Sequence, residues 1–101
     1  TPAPPAAPVQ LPSSALRYLQ PPAQVYPLTS VRMKEQGTVV LRLVVSAQGL
    51  PQQVSIERSS GHRRLDEQAL QAMRAARFAP YTLNGVALAW TALAPLVYEL
   101  E

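Results

Sequence analysis

His62 is the only histidine in 101 residues, and the chain has no cysteine. Disulfides and thiolate zinc sites are thereby excluded, and a metal on His62 would need further ligands that are not grouped around it. Ser60 stands two positions before His62, a pairing from which a nucleophile and its base are sometimes built. No carboxylate follows at a spacing that would orient the ring locally, so nothing specifies a triad. Ser59, Ser60 and His62 are read instead as the end of a strand and the cap of a helix. Asp66 and Glu67 are neighbours that do not face each other on a helix, so they form no acid–base pair. The four glycines are isolated and build no phosphate loop. An enzyme reading fails on this inventory, and no cofactor is implied.

The net charge of +3 raises nucleic-acid binding as the next class. The arginines are dispersed, however, and interleaved with Glu35, Glu57, Asp66 and Glu67. Arg63-Arg64 is the only basic pair, and no exposed row of aromatics offers a base-stacking surface. A solvated surface accounts for these charges, and no nucleic-acid partner is expected.

The elements that position these residues begin after a compositional break. Eight of the eleven prolines fall in the first 27 residues, which carry one charge, Arg17. Thr1-Pro2-Ala3-Pro4-Pro5-Ala6-Ala7-Pro8 favours extended polyproline II, because proline locks φ and donates no hydrogen bond. Residues 1–23 are read as a Pro/Ala-rich extended linker and residues 24–101 as one small domain. The lead reads as part of a longer spacer, and no long apolar run follows it.

After Tyr26-Pro27, Leu28, Val31 and Met33 suggest a short amphipathic helix, with Gly37 expected as a left-handed C-cap. Residues 38–46 give the strongest strand signal: Val39, Leu41, Leu43 and Val45 make one wholly apolar face. Ala47-Gln48-Gly49 turns the chain into a second strand, with Val54 and Ile56 facing the core. Residues 65–78 form a second helix with a stripe of Leu65, Ala69, Met73 and Ala76, joined by Leu70 and Ala72. Asp66 and Glu67 in its first turn and Arg74 and Arg77 in its last suit the helix dipole. Pro80 stops the helix and Asn84-Gly85 makes a turn. The final strand alternates Leu96, Tyr98 and Leu100 with Val97, Glu99 and Glu101, in an extended run that includes Pro95.

The order αββαβ predicts an α+β, two-layer domain. A right-handed crossover gives a three-stranded antiparallel sheet of order 2-1-3 with both helices on one face. Pro95 cannot donate to a ladder, so the C-terminal strand is expected at an open edge. Pro95, Glu99 and Glu101 partly protect such an edge. Three uses remain: an ordinary protected edge, a dock for an added peptide strand, or homodimerisation.

Tyr26-Pro27, Gly37-Thr38-Val39-Val40-Leu41, Ala47-Gln48-Gly49, Ser59-Ser60-Gly61-His62, Leu65-Asp66, Ala69, Arg77-Phe78-Ala79-Pro80, Asn84-Gly85 and Pro95-Leu96-Val97-Tyr98 follow in order. This ordered set, over about residues 20–101, resembles the C-terminal domain of TonB-family energy transducers. The resemblance implies a non-enzymatic periplasmic domain, anchored by an inner-membrane helix outside this chain. Its implied partners are the TonB-dependent outer-membrane receptors, with ExbB and ExbD engaged through the missing N-terminal part.

A short receptor segment, the TonB box, would lie along residues 93–100 as an added parallel strand and be pulled during siderophore, haem or cobalamin import. The residues implied at this contact are Leu93, Ala94, Leu96, Val97, Tyr98 and Glu99, with the backbones of Ala94, Leu96, Val97 and Tyr98 foremost. Box hydrogen bonds are expected to flank Pro95. Family members often carry a Gln-Pro-x-Tyr-Pro segment whose glutamine touches the box. Here Ala23 holds that place before Tyr26, and the contact falls to Gln20, to Gln24 or to neither. The family's tryptophan and acid near Arg77-Phe78 are Ala76 and Ala79 here. Leu65, Phe78 and Tyr98 are assigned to the core. A structural or self-associating periplasmic module, TolA-like or secretion-related, is the alternative reading.

Overall fold

The β-branched and leucine run after Gly37 builds the central strand of the molecule. The structure is a computed structural model that describes residues 9–100. Its elements are β1 (Val9–Gln10), a single 3-10 turn (Ser13–Ala15), β2 (Tyr18–Gln20), α1 (Leu28–Arg32), β3 (Gly37–Val45) and β4 (Pro51–Arg58). They continue with α2 (Arg63–Ala75), β5 (Arg77–Phe78), β6 (Tyr81–Leu83), β7 (Val86–Leu88) and β8 (Trp90–Tyr98). The polyproline expectation for residues 1–8 lies outside the described residues.

The fold class is α+β, but the sheet differs from the three-stranded antiparallel one expected. Four strands lie in the order β1-β8-β3-β4, with β3 antiparallel to both neighbours and β1 parallel to β8. Two small antiparallel pairs, β2-β5 and β6-β7, are added beside it. Residues 9–20, read from composition as part of the linker, are therefore paired with the domain. Val9 and Leu11 alternate with exposed Gln10 and pack against the core, which is strand periodicity within a proline-rich context.

Val39, Leu41, Leu43 and Val45 of β3 are fully buried, as are Leu65, Ala69 and Met73 of α2. Trp90, Ala92, Ala94, Leu96 and Tyr98 extend this buried face along β8. Burying such an aliphatic side chain contributes roughly 1.5–3 kcal/mol, so the α2–sheet layer dominates the fold's stability. Leu65, Phe78 and Tyr98 lie in the core as expected. Ile56 is more than a third exposed and Val54 only half-buried, because β4 is the outer strand.

The α1 expectation needs correction. Leu28, Val31 and Met33 are all exposed, and Ser30 is the one buried residue of this five-residue helix. The covering layer is α2, and α1 does not share the work. The left-handed residue after α1 is Lys34, with φ 57°, rather than Gly37. Gly37 opens β3 where a Cβ would stand 2.8 Å from the Ser60 carbonyl oxygen, so close approach explains its lack of a side chain. Gly49 has φ 85°, and its Cβ would stand 2.0 Å from the Phe78 carbonyl oxygen. The Phe78 N–H also donates to the Gly49 carbonyl at 3.0 Å, tying the β3–β4 turn to β5.

The start of α2 is held by a reciprocal arrangement. Ser60 Oγ accepts from the His62 N–H at 3.1 Å and donates to Asp66 Oδ1 at 2.7 Å. Asp66 Oδ1 also accepts the Ser60 N–H at 3.0 Å, and Oδ2 accepts the Ser59 hydroxyl. At the other end, Arg77 donates to the carbonyls of Arg74 and Ala76 at 3.2 and 2.7 Å, serving the helix end structurally.

Candidate binding edge on β8

Successive residues of a strand send their main-chain groups to opposite sides. In β8 the side is read from the carbonyls. Ala89 and Thr91 oxygens accept from the Val9 and Leu11 N–H groups at 3.1 and 2.8 Å, and the Leu93 and Val97 oxygens also accept from outside β3. Odd-numbered residues thus present their backbone to the edge, and even-numbered ones pair with β3. Of the expected backbone contacts, Ala94, Leu96 and Tyr98 point into the β3 ladder, opposite Leu41, Val39 and Gly37. Leu93 and Val97 face outward.

Pro95 sits between these two on the same outward side. Its missing N–H costs the β3 ladder nothing, which is why a proline fits inside a nine-residue strand. The donors that flank it are the N–H groups of Leu93 and Val97. Side chains alternate independently of this: those of Trp90, Ala92, Ala94, Leu96 and Tyr98 are buried, while Leu93 and Val97 are substantially exposed.

The edge is not wholly open, contrary to expectation. Val9 and Gln10 are register partners of Trp90 and Thr91. Beyond them, Ser13 Oγ donates to the Leu93 carbonyl at 2.5 Å, and Gln24 Nε2 donates to the Val97 carbonyl at 2.9 Å. The chain itself therefore serves the outward carbonyls at both ends of the stretch around Pro95.

Gln24 is placed there by a strap across the end of the sheet. Tyr26 packs edge-on against Tyr98, with centroids 5.7 Å apart and planes at 84°, and donates its hydroxyl to the Glu35 carbonyl. The Tyr98 hydroxyl donates to Gln68 Oε1, whose amide nitrogen donates to the Ala23 carbonyl at 2.9 Å. Burial pushes the Tyr98 hydroxyl up to about 12, so it stays protonated and able to donate. Glu35 is held below its ordinary value by the Ser30 hydroxyl at 2.7 Å, against the opposing effect of burial, with His62 and Arg64 assisting at 3.3 and 3.5 Å. Gln20, by contrast, ends β2 opposite Arg77, and Glu99 follows the end of β8 in an exposed position.

Residue reasoning missed Val9, Leu11, Ser13 and Trp90. The available signal was Val-Gln-Leu, an apolar–polar–apolar alternation set among prolines. Trp90 is buried at the start of β8, edge-on to Phe78 at 5.1 Å, and its Nε1–H has no partner among the described residues.

Over residues 22–100 the chain matches the family described as Gram-negative bacterial TonB protein C-terminal. The chain belongs to the TonB C-terminal family. It is 42% identical to Protein tonB2 of Pseudomonas aeruginosa over 69 residues, which cover 68% of this chain and 26% of that protein. It is 40% identical to Protein TonB of Neisseria meningitidis serogroup C over 81 residues, covering 79% of this chain and 27% of that protein. The chain thus spans about a quarter of the length of these relatives. The solution NMR structure of the Pseudomonas aeruginosa TonB C-terminal domain superposes with a TM-score of 0.73 at 24% identity, over 91% of this chain and 93% of that one. That likeness establishes the TonB C-terminal fold.

Proposed function

We propose that the β8 edge captures the TonB box of an outer-membrane receptor as an added parallel strand. The observation that carries this reading is the outward row of β8, with the Leu93 and Val97 N–H groups flanking Pro95 and a parallel strand already accepted beside Trp90 and Thr91. Main-chain bonds give such a dock affinity without demanding a particular sequence. Each contributes about 0.5–1.5 kcal/mol net, so several must act together to bear a pull. Gln24, already on the Val97 carbonyl, is the glutamine that meets the box, and Tyr26 fixes its position.

In this reading the domain is non-enzymatic and periplasmic. An inner-membrane helix outside this chain anchors it, with a Pro/Ala-rich spacer between that helix and the domain. Energy from the proton gradient arrives through ExbB and ExbD, and siderophore, haem or cobalamin import follows. Membership of the TonB C-terminal family supports these roles.

A titration of labelled protein with TonB-box peptides tests the reading. The Leu93 and Val97 amide signals are expected to move while those of Leu41 and Leu43 stay. Saturating peptides from every such receptor in the source genome that leave Leu93 and Val97 unmoved make the reading wrong.

A further inference from the structure

We infer that residues 9–13 are a resident stand-in for the partner strand, so that β8 takes either its own lead or an incoming segment. This rests on the reading that the partner adds to β8 in parallel. β1 runs parallel to β8, and its Val9 and Leu11 N–H groups fill the carbonyls of Ala89 and Thr91. Ser13 then does the same for Leu93 through its hydroxyl, where the main chain leaves the strand direction in the Ser13–Ala15 turn. A parallel strand that reached back along the whole of β8 would need these same three carbonyls. Strand and lead cannot both hold them.

The stand-in also states what the incoming segment should look like. Val9 and Leu11 pack against the core cluster, while Gln10 between them is exposed. Leu11 forms one wall of a cleft of about 210 Å³ with Arg17, Pro80, Tyr81 and Trp90. A segment that displaces the lead fully is therefore apolar at two positions i and i+2, with a polar residue between them. A segment lacking that alternation is confined to the stretch from Leu93 to Val97. Two grades of partner follow from one edge.

Because a competent edge is only a fraction of the population, the apparent affinity of a partner falls by that fraction. Val9→Asp/Leu11→Asp removes the packing of the lead. Gln10→Cys/Thr91→Cys, in a chain with no other cysteine, locks the lead to its register partner when oxidised. Trp90, the only tryptophan, lies opposite Val9 and reports whether the lead is in place.

Two probes are used: a peptide of residues 8–13 (Pro-Val-Gln-Leu-Pro-Ser) and the receptor TonB-box peptides. The peptide of residues 8–13 is expected to bind the Asp variant about tenfold more tightly than the unaltered chain. It should move the Thr91 and Leu93 amides and restore the buried Trp90 emission. Receptor peptides of the alternating type should gain about tenfold on the Asp variant and lose at least as much on the oxidised lock, with recovery on reduction.

Equal affinity of all three forms for a receptor peptide of the alternating type that moves Thr91 as well as Leu93 and Val97 overturns the stand-in and leaves the receptor reading standing. Binding of the peptide of residues 8–13 to the Asp variant, with every receptor peptide inert on all forms, supports the stand-in and removes the receptor reading. A concentration-dependent dimer of the unaltered chain that the Asp variant abolishes places the lead on a second copy, and overturns the inference as well.

Discussion

Asp66 accepts three hydrogen bonds at the head of α2 while only 8% exposed, which makes it the most demanding polar residue in the layer. Burial pushes its carboxyl up, but the hydrogen bonds from Ser59 and Ser60 outweigh that and hold it below its ordinary value. Glu35 is likewise lowered, foremost by Ser30. Both groups titrate lower when folded than when unfolded. Their stabilisation is therefore complete above the ordinary carboxylate range near pH 4, and is lost as pH falls through the lowered folded values. Asp66→Ala leaves two serine hydroxyls and an N–H without their acceptor, and should cost about 1–3 kcal/mol in urea unfolding at pH 7. Asp66→Asn should also make the acid fall in stability shallower than in the unaltered chain. An acid limb of unchanged steepness would show that this carboxylate is not a source of it.

At the scale of the element, the decisive property of β8 is parity. Val97→Pro deletes an outward N–H, so the β3 ladder survives; peptide capture should be abolished while circular dichroism and cooperative unfolding stay close to normal. Leu96→Pro deletes an N–H that faces β3 and removes a buried side chain, and should cost on the order of 3 kcal/mol. Equal damage from the two substitutions would mean that the parity is wrong. Much of this was legible beforehand. The alternation of β3 and the stripe of α2 follow from periodicity; donor chemistry placed the proline-bearing strand at an edge, but β1 covers its first residues. The parity itself was not, because a sequence shows which side chains alternate but not which flank of the strand meets its neighbour. Nor was α1: Leu28, Val31 and Met33 have helical spacing, yet five residues are too few for packing to select that face. β1 escaped because two apolar residues among prolines carry too little pattern to outweigh composition.

At the scale of the whole molecule, the hydrogen bonds between the lead and β8 span the greatest sequence separation among the described residues. Ser13 and Leu93, joined by one hydrogen bond, are 80 residues apart in sequence. Contacts of that separation must wait for every intervening loop to close, whereas the β3–β4 hairpin and α2 need only their neighbours. The lead is therefore expected to dock after the barrier to folding has been crossed. In a chevron experiment, Val9→Asp/Leu11→Asp should steepen nothing and slow nothing on the folding limb; the unfolding limb alone should rise. A slowed folding limb would place β1 in the nucleus. The first described strand of this chain is thus expected to be the last to arrive and the first to leave, and the time for which it is away is set by how fast it redocks, not by how fast it lets go.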